Sequence, residues 1–91
     1  MNEKIDKIFE KKSIDANDII KAHNAVMQNF MDSTRWSVQL GAAFDQALTK
    51  LGREKTMRWA QSFGLTEETV ENYLLFYSRR GRRTKFNLTL G

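Results

Sequence analysis

Residues 56–75 read TMRWAQSFGLTEETVENYLL. Two helices and the turn between them are legible in that order of residue types. Ala60 is small enough to sit where two helices cross closely, and Gly64 can take the left-handed backbone that ends a helix sharply. Leu65 can then enter the core. Thr66 is a good N-cap, because its hydroxyl can accept from a free amide of the first turn. Glu67 and Glu68 follow where the helix dipole favours negative charge. Val70, Tyr73, Leu74 and Tyr77 recur every three or four residues, which gives the second helix one apolar stripe to lay against the first. The spacing predicts helices over 54–64 and 66–78.

A small Ala60, three intervening residues, Gly64, aliphatic Leu65, capping Thr66 and then Val70 and Tyr73 form a pattern that resembles the helix-turn-helix superfamily of DNA-binding proteins. The nearest look is to the LuxR-type and sigma-factor C-terminal versions, in which a Leu-Ser/Thr segment leads into Thr-Val, as Leu65, Thr66, Thr69 and Val70 do. The resemblance covers residues 54–80 and nothing before them. It implies a tri-helical module whose last helix enters the major groove, with Thr66, Glu68, Thr69 and Asn72 meeting base edges. The helix before it would lie across the backbone, where Arg58 is a candidate phosphate ligand.

Upstream, Asp32, Ser33 and Thr34 make a break and a cap, and a third helix is expected from there to Leu51. Trp36, Leu40, Ala43, Phe44, Ala47, Leu48 and Leu51 form its apolar face, and Gly41, Ala42 and Ala43 allow another helix to approach closely. Gly52 ends it. Before that, either Asp15 or Asn17 can cap a helix running to about Met31, with Ile19, Ala22, Val26 and Phe30 in one stripe that Ile20, Met27 and Met31 widen. The stripe is wide enough for more than one neighbour. Asn2–Lys12 alternates charges around Ile5, Ile8 and Phe9, as a short amphipathic helix does, and Ser13–Asn17 reads as an interruption.

Downstream, SRRGRRTKFNLTLG closes the sequence. Arg79, Arg80, Arg82, Arg83 and Lys85 crowd around Gly81. Phe86, Leu88 and Leu90 then alternate with Asn87 and Thr89, which is a strand signal. A lone strand cannot satisfy its own backbone, so it needs a partner, either from a second copy or from elsewhere in the same chain.

The expected fold is therefore all-α: a helical bundle with a tri-helical helix-turn-helix core over 34–80, N-terminal helices over 1–31 for dimerisation or partner contact, and a basic, extended tail over 81–91. A chain of 91 residues makes a single small domain with a modest core, for which oligomerisation is a natural source of stability. With no cysteine and one histidine, His23, neither a disulfide framework nor a metal site is expected, and no cofactor is implied. No apolar run approaches a membrane span and the first residues lack the apolar centre of a signal peptide, which points to a cytoplasmic protein of a bacterium or phage.

Charge is unevenly placed. Residues 1–48 carry six Lys/Arg against seven Asp/Glu, and residues 49–91 carry nine against four. The basic character thus coincides with the helix-turn-helix resemblance and favours a polyanionic partner. Arginines can clamp phosphates in bidentate fashion, and four of them in five residues exceed what complementing a helix dipole requires. Arg53, Lys55 and Arg58 either touch the DNA backbone beside the groove or keep their helix soluble.

Against this, Glu67, Glu68 and Glu71 put three carboxylates on the helix that should face phosphates. A glutamate can accept from the cytosine amino group and Asn72 can pair with adenine; otherwise the glutamates stabilise the helix start and the helix meets a protein. Trp36, Trp59, Phe44 and Phe63 read as core rather than base-stacking platforms, and His23 as a packing or surface residue. There is no Ser/His/Asp or Cys/His set and no phosphate-cradling glycine loop, so neither a catalytic site nor a small-molecule substrate is expected. The functional expectation is a sequence-specific transcriptional regulator binding double-stranded DNA, as a homodimer. The alternative is a protein-interaction module on the same scaffold, binding a transcription or phage-assembly component.

Overall fold

In chain order the protein forms α1 (Glu3–Glu10), β1 (Ser13–Ile14), α2 (Ala16–Gln28), α3 (Ser33–Leu51), α4 (Arg53–Ser62), α5 (Glu67–Arg80) and β2 (Asn87–Leu88). The computed structural model describes residues 3–11, 13–28, 33–80 and 87–88. The architecture is an all-α bundle with α3 at its centre, packed against α2, α4 and α5. Phe30, Met31 and Asp32, read above as the end of one stripe and the start of a cap, lie outside the described residues.

The start of α2 has a local cause. Between the two candidates for the α2 cap, the chain uses Asp15. Its Oδ1 accepts from the Asp18 amide at 3.0 Å, and Asp18 Oδ2 accepts from the Asp15 amide at 3.1 Å, a reciprocal capping box. Ile14 and Ile19 flank that box and are both buried in the core, as a hydrophobic staple requires. Lys11, from beyond the end of α1, reaches Asp18 at 2.8 Å. Burial alone would raise the Asp18 pKa, but the bonds from Lys11 and the Asp15 amide outweigh it and hold it below the usual carboxylate range.

The 13–17 segment is more than an interruption. Ser13 and Ile14 pair in parallel with Asn87 and Leu88, so the strand expected near the C-terminal end finds its partner within the same chain. No periodicity could mark β1, which is two residues long.

The core runs through α2 and the three helices after it. Ile19, Ala22 and Ala25 of α2 join Trp36, Leu40, Ala43, Phe44 and Ala47 of α3, Met57 and Ala60 of α4, and Leu65, Val70 and Tyr73. Much of the apolar stripe of α2 is thus used inside the chain, where α2 packs against both α3 and α1, while Met27 stays exposed. Trp36 and Phe44 are fully buried, while Trp59 and Phe63 are partly buried against the same cluster. Phe44 and Tyr73 stack with centroids 6.3 Å apart, and Trp59 meets Phe44 and Phe63 edge-on. Trp36 donates to Asp6 at 3.3 Å and Asp6 pairs with Arg35 at 2.8 Å, which ties α1 to α3. Two buried side-chain oxygens, Gln39 Oε1 and Thr56 Oγ1, have no hydrogen-bond partner among the described residues, and Thr56 is fully buried.

Candidate nucleic-acid interface

The turn that presents α5 is built as the residue types require. Gly64 has φ +94°. The Leu65 amide donates to the Ala60 carbonyl at 3.1 Å and the Gly64 amide to the Gln61 carbonyl at 3.1 Å, the paired bonds of a Schellman end. Leu65 then turns inward and is buried. Thr66 caps α5, its Oγ1 accepting from the Thr69 amide at 3.2 Å. The Thr66 and Thr69 hydroxyls also pair with each other at 2.9 Å. Both threonines named as base readers are therefore engaged in capping, and Thr69 is half-buried.

Depth of insertion and orientation of α5 are set from three sides. Val70 and Tyr73 are buried against the bundle. Gly41 of α3 lies so close to α5 that a Cβ there would strike the Tyr73 carbonyl oxygen and sit 2.5 Å from Tyr77 Cβ. From α2, His23 meets Tyr73 edge-on, with Nδ1 2.5 Å from the phenol oxygen. Burial lowers the His23 pKa and raises that of Tyr73, so both groups stay neutral near pH 7 and the phenol can donate to the ring nitrogen. Of the packing and surface readings that the sequence left open for His23, the contact with Tyr73 favours packing, with a polar partner that the sequence did not indicate.

On the α4 side Arg53 bridges α5, pairing with Glu67 at 2.6 Å and also with Glu71. The glutamates expected to face the groove are divided by this. Glu67 and Glu71 turn to the Arg53 guanidinium, while Glu68 points outward with Asn72, Leu75, Phe76 and Arg79, all exposed. Arg58 is exposed on α4 and bonded to Glu54 one turn earlier at 2.5 Å. Arg79 and Arg80 fall in the last turn of α5, which runs past the helix end expected at 78. Arg82, Arg83 and Lys85 lie outside the described residues.

The structure therefore brings Glu68, Asn72 and Arg79 onto one exposed face and leaves Arg58 on the neighbouring helix. The sequence offered Arg53 as a backbone contact or a solubilising charge and did not show its pairing with Glu67 and Glu71, nor the exposed apolar pair Leu75 and Phe76 in the middle of the outward face. A groove of about 590 Å³ beside that face is lined by side chains that include Asp45, Glu71, Leu74, Leu75, Tyr77 and Ser78, and the Ser78 hydroxyl donates to the Leu75 carbonyl at 2.9 Å. Among the described residues no group of three or more His, Cys, Asp or Glu side chains could hold a metal ion, and no helix is long and apolar enough to cross a membrane. No family model, curated protein or solved structure matches the chain.

Proposed function

We propose that the chain is a small DNA-binding regulator of helix-turn-helix type that presents α5 to the major groove. The observation that carries this reading is the exposed face of α5, with Glu68, Asn72 and Arg79 outward on a helix whose opposite face is anchored by Val70 and Tyr73 and entered through the Gly64 turn. The Arg53 pairs lend further support, because they turn two of the three carboxylates of this helix toward α4. Asn72 would pair with adenine and Glu68 would accept from the cytosine amino group. Arg58 and Arg79, with Arg80, Arg82, Arg83 and Lys85 of the basic run, would hold phosphates and set the register. A homodimer would favour a palindromic site with half-sites roughly 34 Å apart.

Fluorescence anisotropy with a random-sequence duplex across a salt series, followed by selection from a randomised pool, tests this. Binding should fall steeply with salt and yield one enriched motif. Arg79→Ala should weaken binding to all sequences alike, and Asn72→Ala should relax the preference at one position. No binding at low salt would refute the reading.

A second reading has its own observation. Leu75 and Phe76 are 47% and 37% exposed on the same face, which suits contact with a protein better than contact with phosphates. In that case Glu68→Lys would abolish capture of a transcription or phage-assembly partner and Arg79→Glu would not.

A further inference from the structure

Among the described residues three large apolar side chains are exposed, Met27, Leu75 and Phe76. Two of them are adjacent on α5, on the side turned away from Val70 and Tyr73. The same side carries Glu68, Asn72, Leu75 and Arg79, at successive spacings of four, three and four, the repeat with which one helix seats against another. Read along the helix the stripe is acid, amide, leucine, arginine. Reversed, it is complementary to itself, because Glu68 and Arg79 lie equally far from the midpoint between Asn72 and Leu75.

We infer that α5 pairs antiparallel with α5 of a second copy of this chain, about a two-fold axis through that midpoint. The pairing sets Glu68 opposite Arg79 of the partner subunit, and by symmetry does so twice. In that register Leu75 lies opposite Asn72 of the partner subunit, and Leu75 and Phe76 of each copy are shielded from water by the opposing helix. A parallel pairing is opposed by charge, since it would place glutamate against glutamate and arginine against arginine. Every residue of the stripe is already exposed, so the core and the Gly64 turn are undisturbed. With only two apolar side chains from each copy the pair is weak and forms in a concentration-dependent way. It also covers Glu68 and Asn72, so self-pairing and the DNA contact proposed above compete for one face.

The test uses the full chain without DNA and is therefore independent of that reading. Light scattering behind size exclusion, at low salt and from about 10 µM to about 1 mM, should show the mass rising from 10.6 kDa toward twice that value. Leu75→Gln combined with Phe76→Gln should stay monomeric at the same helicity. Glu68→Arg and Arg79→Glu should each weaken association about tenfold, because each creates two like-charge contacts. Both changes in one chain should restore it. A wild type that remains monomeric throughout would overturn the inference. So would a dimer indifferent to Leu75 and Phe76, or a double charge variant weaker than either single one.

Discussion

Two of the contacts that hold α5 to the rest of the bundle differ in kind. Around Tyr73 the hold is dry and tight: the ring stacks on Phe44, its hydroxyl meets His23, and its carbonyl lies against Gly41. At the start of the helix the hold is wet, an arginine more than half exposed that bridges two glutamates. Buried contacts carry the folding energy of a domain, whereas exposed ion pairs are screened by water and salt and mainly bias orientation. The comparison teaches that α5 is fixed in depth by its middle and trimmed in angle by its first turns.

The largest test falls on the dry contact. At an exposed helical site Gly→Ala would add stability, but Gly41→Ala would drive a methyl into the backbone of α5, which cannot swing aside as a flexible side chain can. A loss of about 2–3 kcal/mol is expected in urea unfolding. An unchanged midpoint would mean that α3 and α5 do not press together there.

Thr56 should shift stability in the other direction. Thr56→Val keeps the branched shape and removes a buried hydroxyl that lacks a partner, so a gain of about 1 kcal/mol is expected from the same measurement. A loss would reveal a bond to that hydroxyl.

Acidification should loosen the dry contact by a smaller amount. Burial lowers the His23 pKa from its ordinary 6.5, so in the window just below that value the unfolded chain takes up a proton that the folded chain refuses. Stability is then full above the window and falls as the pH drops into it. Unfolding midpoints compared between about pH 7.5 and about pH 5.5 should decline in the wild type and flatten in His23→Gln, which keeps a polar partner for Tyr73 without titrating. Parallel slopes in the two proteins would assign the pH dependence to another group.

The smallest effect belongs to Arg53→Gln. Its melting curve should superimpose on that of the wild type, while the amide resonances of Glu67 and Glu71 shift. A clear drop in melting temperature would erase the distinction between the two contacts.

How far the sequence reached depends on whether a feature is local. The turn at Ala60, Gly64 and Thr66 was legible because a left-handed backbone and a helix cap are each demanded of one residue. The run Gly41, Ala42 and Ala43 announced a close approach, without saying which helix would arrive. Periodicity gave the core faces of α2, α3 and α5, because the stripe of a helix points inward whatever it meets. It could not give partners distant in sequence. His23 and Tyr73 are 50 residues apart, Arg53 and Glu71 are 18 apart, and β1 becomes a strand only because β2 lies beside it. At the candidate interface the outward positions of Glu68 and Asn72 were implied by the helix-turn-helix resemblance, and both residues are exposed. The turning of Glu67 and Glu71 toward α4 depended on how two helices pack.

The parallel pair of β1 and β2 also bears on the order in which the chain folds. Ser13 and Asn87 sit near opposite ends of the 91 residues, and closing a loop of that length from the unfolded state costs about 4 kcal/mol. Two residues on each side cannot repay that by themselves. The strands can join only after the helices have brought them together, so their pairing closes the folding sequence and is the first contact to open when the chain breathes.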